Sequence, residues 1–215
     1  MIPLSDASRR PTTFPAVTLT LIAINVVVFV VELVSGDAFV TKWALVPANV
    51  SSGHGLVTVF TSMFMHASWS HIAGNMVFLW AFGPEIEDAM GPLRYVFFYL
   101  LGGVAAVATQ VAFDPHSTVP VLGASGAIAA VMGAFLVTFP RDEIRTILVI
   151  FVFVRVAYIP AVLLIGFWFL SQLWSAGQIV PQESNGVAYL AHIGGFMFGA
   201  VFARLFERAS ARTTL

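Results

Sequence analysis

The sequence predicts an all-α, polytopic membrane protein built as a bundle of six transmembrane helices. Hydrophobic residues make up 59% of the 215-residue chain and charged residues only 10%, with a mean hydropathy of +0.91. A soluble domain carries about a quarter charged residues, so lipid is the expected solvent. Six apolar segments reach or approach the roughly 20 residues that a span needs. They are residues 16–34, 70–83, 93–113, 122–139, 157–175 and 186–206.

The six segments form one predicted domain, residues 16–206, between a short N-terminal segment 1–15 and a tail 207–215. No internal repeat is present. The second segment is short and is expected to recruit residues 58–69. The remainder of the stretch 35–69 is too apolar for a disordered linker and is predicted to lie in the membrane interface.

A further apolar stretch, residues 144–156, is bracketed by Arg145 and Arg155. We interpret it as an interfacial loop before the fifth span, with merger into that span as the alternative. The first apolar segment follows Arg9 and Arg10 but lacks a small-x-small cleavage site, which favours a retained span over a removed signal.

Charge and cysteine content exclude several classes of function. The formal net charge is −1 and no basic tract is present, which argues against a nucleic-acid partner. Cysteine is absent, so disulfides and thiolate catalysis are excluded. No cofactor or metal is predicted.

The basic residues predict the orientation of the chain. With a cytoplasmic N-terminus, nine of the ten basic residues fall on the cytoplasmic side and only Lys42 falls outside. Both termini are then cytoplasmic, spans two, four and six begin at the outer side, and a bacterial inner membrane is the expected location. The nine are Arg9, Arg10, Arg94, Arg141, Arg145, Arg155, Arg204, Arg208 and Arg212.

Polar residues inside predicted spans are costly and therefore indicate function. Span two begins with His71 and Asn75, whose spacing of four places both hydrogen-bond donors on one helical face. Interhelical hydrogen bonds that hold the bundle together are the alternative reading of this pair.

Span four begins with Ser125 between Gly123 and Gly126. A lone serine in a membrane helix is usually a packing residue. Flanking glycines at a helix start leave backbone N–H groups and the positive dipole end accessible, as a developing oxyanion requires. The pattern differs from the G-x-S-x-G elbow of soluble hydrolases because Ala127 occupies the last position.

Span six carries His192, which taken alone is a structural hydrogen bonder, a metal ligand or a general base. Gly195 and Gly199 form a small-residue stripe that allows another helix to approach closely. If this stripe faces a matching one on span four, Ser125 and His192 meet as nucleophile and base. The matching stripe consists of Ser125, Ala129 and Gly133.

The predicted topology brings these residues to one depth, because His71, Asn75, Ser125 and His192 all lie near the outer starts of spans two, four and six. No acid is suitably placed to complete a triad. We therefore expect a serine–histidine dyad whose imidazole is oriented by packing against Gly195 and by neighbouring side chains.

These motifs resemble the rhomboid family of intramembrane serine proteases. The second-span run has histidines at positions 66 and 71 and an asparagine at 75, and it resembles that family's second-helix signature. The runs 123–126 and 191–199 resemble its nucleophile and base motifs. The resemblance covers residues 40–206.

The resemblance implies that Ser125 attacks the scissile carbonyl while His192 takes its proton. It also implies an oxyanion hole formed by the Ser125 N–H, His71 and Asn75, with His66 supporting the site from behind. The chain departs from many relatives at residues 56–58, where they carry a Trp-Arg pair. It also carries Ala129 where some relatives place a tyrosine that stacks on the histidine.

The implied function is intramembrane endopeptidase activity near the outer side of the membrane, on single-span proteins whose helices unwind locally. Transmembrane protein substrates and the lipid bilayer are therefore the expected partners. Two alternatives remain: a catalytically silent protein that escorts membrane helices, and a small transporter lined by His71, Asn75 and His192.

Overall fold

A computed structural model describes residues 1–150, 153–177 and 188–209 of the chain. Helices predominate, and each of the six predicted apolar segments carries one. The principal helices are α1 (Ala16–Ser35), α5 (Trp69–Met90), α6 (Pro92–Phe113), α7 (Ser125–Thr138), α8 (Ala161–Gly177) and α9 (Tyr189–Phe206). Shorter elements are α2 (Asp37–Trp43), α3 (Pro47–Ser51), α4 (Thr58–Thr61) and a 3₁₀ turn, Ser62–Phe64.

Three of these helices, α1, α6 and α9, are both long and apolar enough to cross a membrane. Helices α7 and α8 are apolar but shorter. Helix α5 is long, but three carboxylates, those of Glu85, Glu87 and Asp88, lower its hydropathy. The bundle is therefore a membrane-embedded helical fold, and six complete crossings remain a prediction.

Helix α7 lies at the centre of the bundle, and its residues from Gly126 to Phe135 are all buried. It packs most extensively against α9. A Cβ atom on Gly133, Gly195 or Gly199 would overlap backbone atoms of the facing helix. Small residues therefore allow the close approach of α7 and α9 that fixes the relative positions of the two helices.

Three antiparallel strands make the all-α prediction wrong in part. Strand β1 (Ile2–Asp6) pairs with β2 (Glu143–Ile150), which pairs with β3 (Phe153–Pro160). Within the predicted interfacial loop 144–156, residues 144–150 and 153–156 thus lie in an antiparallel strand pair, the β2–β3 hairpin, and α8 begins at Ala161, not at residue 157. The sequence of the two strands is rich in Val, Ile and Phe, which favour strands. Most of it is continuously apolar, however, so it lacks the alternation of apolar and polar residues that identifies a strand.

The segment 58–69 also differs from its prediction. We expected it to extend the second span, but it forms α4, the 3₁₀ turn and a connection to α5. Ser68 caps α5 by accepting a hydrogen bond from the His71 N–H at 3.1 Å, which starts the helix at Trp69.

Carboxylates of α5 anchor the start of α1. Glu87 accepts hydrogen bonds from the N–H groups of Val17 and Thr18, at 2.9 and 2.8 Å, and from the Thr18 hydroxyl. Pro15, the N-cap residue of α1, offers no side-chain acceptor. Glu87 therefore satisfies free N–H groups at the positive end of the α1 dipole, which connects the first and second predicted spans.

Candidate active site

Ser125 is the first residue of α7, and its position depends on Gly123. The φ of Gly123 is +138°, a conformation that side chains oppose, and a Cβ there would lie 2.9 Å from Cε1 of His71. Its N–H donates to the Ser62 carbonyl oxygen at 2.8 Å. Gly123 thus lets the chain pass close to His71 and leaves Ser125 half-buried at a helix N-terminus.

His192, one turn into α9, lies directly beside Ser125. Its Nε2 atom is 2.7 Å from Ser125 Oγ, and the ring is buried. The close contact of α7 with α9 produces this pairing, since a side chain on Gly195 would overlap the Gly126 carbonyl. Contact runs along Gly126, Ala130 and Gly133 of α7. This line shares Gly133 with the predicted stripe but uses the residues that follow Ser125 and Ala129, so Ser125 lies at its edge.

The other nitrogen of the His192 ring contacts a residue that the sequence analysis did not identify. Gln172 of α8 is buried, and its Oε1 lies 2.7 Å from His192 Nδ1. Its Nε2 donates to Ser171 Oγ at 3.0 Å, which orients the amide with its oxygen toward the imidazole. With Nδ1–H donating to Gln172, the lone pair of Nε2 faces the serine hydroxyl.

Trp168, one turn before Gln172, packs over the same imidazole. The ring centroids are 5.8 Å apart with an interplanar angle of 37°. Ala129, where some relatives carry tyrosine, is fully buried in the core. The histidine is therefore held by α8, and the sequence signal that could have revealed this was a carboxamide within an otherwise apolar helix.

His71 presents its Nε2 atom to the space beside Ser125. The Ala67 N–H donates to His71 Nδ1 at 3.4 Å. Because Nδ1 accepts, the proton of a neutral ring resides on Nε2, which lies next to Gly123. His71 can therefore donate a hydrogen bond toward an oxygen bound near Ser125.

Asn75 is buried one turn further along α5. Its Nδ2 atom has no hydrogen-bond partner among the described residues. A buried amide donor without a partner is costly, and here it lines the same cavity as Ser125. The side chain is thus available to a ligand in that cavity.

His66 is buried behind His71 and does not contact Ser125. The two imidazole centroids are 5.1 Å apart, and the His66 N–H donates to the Glu32 carboxylate at 3.0 Å. Neither ring nitrogen of His66 has a partner within the described part of the chain. Glu32, the acid near the end of α1, therefore binds the backbone at His66, whereas the group that contacts His192 is Gln172.

These side chains surround one cavity of about 470 Å³ at the end of the bundle where α5, α7 and α9 begin. Its polar wall includes His71, Asn75, Ser125 and His192, and its apolar wall includes Met63 and Ala106. No three His, Asp or Glu side chains are grouped as metal ligands in the ranges that the structure describes. The cavity can hold an extended peptide segment next to a hydrogen-bonded serine–histidine pair.

The fold and this site define a membrane-embedded helical protein whose polar cavity contains a serine–histidine pair. A family model described as the Rhomboid domain matches residues 53–209, which is well over half of the chain. The protein belongs to the rhomboid family, and the resemblance found in its sequence motifs is confirmed.

Individual relatives cover most of this chain at low identity. It is 27% identical over 197 residues to Rhomboid protein 1, mitochondrial, of Saccharomyces cerevisiae, covering 88% of this chain and 53% of that protein. It is 25% identical over 196 residues to Rhomboid protease GlpG of Yersinia pestis, covering 91% and 64%.

A shorter match is to Presenilin-associated rhomboid-like protein, mitochondrial, of Rattus norvegicus. It is 32% identical over 143 residues, covering 64% of this chain and 35% of that protein. The chain therefore spans about half to two thirds of the length of the first two relatives. These relatives include bacterial and mitochondrial proteins, so the bacterial inner membrane stays a prediction.

Proposed function

We propose that this protein is an intramembrane serine endopeptidase that uses Ser125 as nucleophile and His192 as general base. The observation that carries the proposal is the chain of two 2.7 Å contacts from Ser125 Oγ through the His192 ring to Gln172 Oε1. A nucleophile, a base and a group that orients the base are the parts that covalent catalysis requires.

In the first step Ser125 Oγ attacks the scissile carbonyl carbon while His192 Nε2 takes the hydroxyl proton. Negative charge then develops on the carbonyl oxygen. The donors available to it are Nε2–H of His71, Nδ2–H of Asn75 and the free N–H of Ser125 at the start of α7. The C–N bond breaks as His192 returns the proton to the leaving amine.

In the second step a water molecule loses a proton to His192 and attacks the acyl carbon. The ester bond to Ser125 breaks, the carboxyl product leaves, and the serine recovers its proton. Gln172 keeps its hydrogen bond to Nδ1–H throughout, so the ring can exchange the proton at Nε2 without rotating. No metal or cofactor enters this scheme.

The proposed substrates are transmembrane segments of other membrane proteins. A helical backbone hides its carbonyl groups in hydrogen bonds, so the segment must unwind before Ser125 can attack. The cavity lies at one end of α7, which is consistent with cleavage near one membrane surface. We propose that this is the outer surface and that both termini are cytoplasmic, from the distribution of basic residues.

The two alternative functions fit the geometry less well. An escort protein without activity has no need of a serine hydroxyl bonded to an oriented imidazole. A transporter needs a polar path through the bundle, yet α7 is buried among apolar side chains from Gly126 to Phe135 below the cavity. Both alternatives predict that Ser125 is unreactive.

Labelling of the purified protein with a fluorophosphonate tests the proposal directly. We expect wild type to be labelled and Ser125→Ala to be unlabelled, and His192→Ala to react far more slowly. Cleavage of a model transmembrane substrate should be lost in both variants, with the double variant scarcely worse than either single one. Cleavage by Ser125→Ala at the wild-type rate would exclude the assignment.

A further inference from the structure

The β2–β3 hairpin carries exposed apolar side chains on both of its faces. Ile147 pairs with Val156 and Val149 with Val154 on one face. The strand register places Phe153 on the other face. Val149 is 55% exposed, Phe153 68% and Val154 66%. A sheet that packs against protein on one side and faces water on the other has one apolar face and one polar face. This end of the hairpin has two apolar faces and does not fit that pattern.

Among the residues that the structure describes, only those at the base of the hairpin pack against the helices. Ile144 and Thr146 are fully buried, and Ile159 lies against the core. From residue 147 onward β2 becomes progressively exposed, and its partner β3 is exposed from Phe153 to Val156. The hairpin therefore extends beyond the bundle, and its far end is not covered by the described part of the chain.

Two arginines flank this apolar end. Arg145 and Arg155 are exposed and lie on opposite faces of the hairpin, and their guanidinium groups form no hydrogen bond or ion pair with any residue described. Tyr158 is paired opposite Arg145 and is also exposed. Apolar residues at a tip, followed by tyrosine and arginine, match the change from acyl chains to headgroups across a membrane interface.

The hairpin lies next to the end of α7, the predicted fourth membrane span. Helix α7 begins at Ser125 and ends at Thr138, a few residues before β2, so the sheet lies at the end of α7 opposite the cavity. Strand β3 ends at Pro160 and α8 begins at the next residue. The exposed side chains of that first part of α8 are Val162, Leu163 and Phe167, as expected of a lipid-facing surface.

We propose that the exposed end of the β2–β3 pair, defined by Val149, Phe153 and Val154, inserts into the membrane leaflet at the end of α7 opposite Ser125. Arg145 and Arg155 bind anionic lipid headgroups there. The leaflet fits both apolar faces at once, whereas a protein partner or a second copy would cover one. The arginines supply charge complementarity to anionic lipid. This proposal does not depend on protease activity.

Because the chain contains no cysteine, single cysteines can be introduced and spin-labelled without background. The test labels Phe153→Cys and Val154→Cys in proteoliposomes of phosphatidylcholine with about 30% phosphatidylglycerol. Collision with oxygen reports lipid exposure, and collision with a water-soluble nickel chelate reports water exposure. Phe167→Cys on α8 is the lipid reference, and exposed Glu143→Cys at the hairpin base is the water reference.

Insertion predicts that both tip labels match Phe167→Cys, with high oxygen and low nickel accessibility. Tip labels that match Glu143→Cys would overturn the proposal, because the hairpin would lie in water. Labels shielded from both reagents would also overturn it, since a protein partner or second copy would then cover the tip.

The lipid-headgroup part has its own test. In the Phe153→Cys background, Arg145→Gln combined with Arg155→Gln should shift the label toward water in phosphatidylglycerol-containing bilayers. The same pair of substitutions should have little effect in phosphatidylcholine alone. Arg141→Gln, at an exposed arginine outside the hairpin, is the matched control and should have no effect in either. An unchanged label depth in the double variant would remove anionic lipid from the proposal.

Discussion

Gln172 Oε1 lies 2.7 Å from Nδ1 of His192, on the side of the ring opposite Ser125. The amide belongs to α8, whereas the serine and the histidine belong to α7 and α9. Three helices therefore contribute to one hydrogen-bonded chain. An amide oxygen fixes the imidazole tautomer as a carboxylate would, but it places no negative charge in the apolar bundle.

The first prediction concerns this amide. Gln172→Met keeps the length of the side chain but removes the acceptor, so the His192 ring loses its preferred tautomer and orientation. We expect kcat to fall roughly tenfold to a hundredfold, a part of what a general base contributes, with a small change in KM. Turnover of a transmembrane substrate and the rate of fluorophosphonate labelling measure this loss.

Gln172→Glu retains an oxygen acceptor at the same position and should keep more activity than Gln172→Met. Ser171→Ala removes only the partner of the amide nitrogen and should cost little. Equal losses in Gln172→Met and Gln172→Glu, with matching falls in melting temperature, would mean that Gln172 only packs the helix.

Much of the fold and part of the candidate site follow from the sequence. Apolar runs locate helices because lipid requires a backbone satisfied within each segment. Ser125 and His192 are recognisable by two signals. Polar groups within apolar runs are costly and therefore indicate function, and glycines lie close to both residues. Helix ends were less accurate: α5 continues through Pro84 to Met90, seven residues past the predicted end of 83.

The rest depends on contacts between distant segments. Nothing in the sequence of α8 shows which neighbour Gln172 faces, since that is decided by the packing of α8 on α9. Strand β1, in the segment 1–15, was missed because it pairs with residues more than 130 positions away. Local patterns do not contain that information.

The second prediction concerns Asn75. Its buried Nδ2 has no partner among the described residues, so Asn75→Ala removes no hydrogen bond that the resting protein makes through that atom. We expect kcat to fall by about a hundredfold, the effect of losing one oxyanion donor at about 3 kcal/mol, and KM to change much less. The melting temperature should be nearly unchanged.

Measuring kcat and melting temperature on the same preparation separates this role from the alternative of an interhelical bond. Ala73→Ser, at an exposed position of the same helix turn, is a control that should affect neither quantity. A destabilised Asn75→Ala protein with wild-type kcat would remove Asn75 from the site.

The third prediction concerns the contact between α7 and α9. Gly199→Ala places a methyl group against the Ala130 carbonyl oxygen, which is backbone and cannot rotate away. Separating the helices to make room should destabilise the protein by about 1–3 kcal/mol or more and displace His192 from Ser125. The melting temperature should therefore fall, and fluorophosphonate labelling should be slower.

Gly166→Ala is the matched control, because a Cβ at Gly166 on α8 meets nothing within 4 Å. Its expected effect is neutral or slightly stabilising, since alanine is the better helix former. If Gly199→Ala unfolds at the wild-type temperature and labels normally, close packing at Gly199 is not what positions the pair.

The fourth prediction concerns the pH dependence of the β1 anchor. The Asp6 side chain is buried, and its Oδ1 accepts from the Ser8 N–H at 2.7 Å. Burial and the neighbouring Asp142 carboxylate raise the pKa of Asp6 from 3.8 to about 6. The other titratable groups nearby are Arg9, which is hydrogen-bonded to Asp142, and Glu85, whose pKa burial raises to about 8. The folded state therefore binds a proton more tightly than the unfolded state does.

A raised carboxyl pKa means that ionised Asp6 opposes folding at neutral pH. As the pH falls from about 7.5 to about 5, folded Asp6 takes up a proton while unfolded Asp6, near 3.8, stays ionised. The attachment of β1 should therefore strengthen over this window, by on the order of 1–3 kcal/mol.

Asp6→Asn, a neutral isostere, is the control. In this variant β1 should already be held more firmly at neutral pH, and the pH-dependent gain should be lost. Hydrogen exchange of the β1 amides, corrected for intrinsic rates, measures the effect at both pH values. Equal pH dependence in wild type and Asp6→Asn would assign the proton to another group, and weaker β1 protection at the lower pH would contradict the prediction outright.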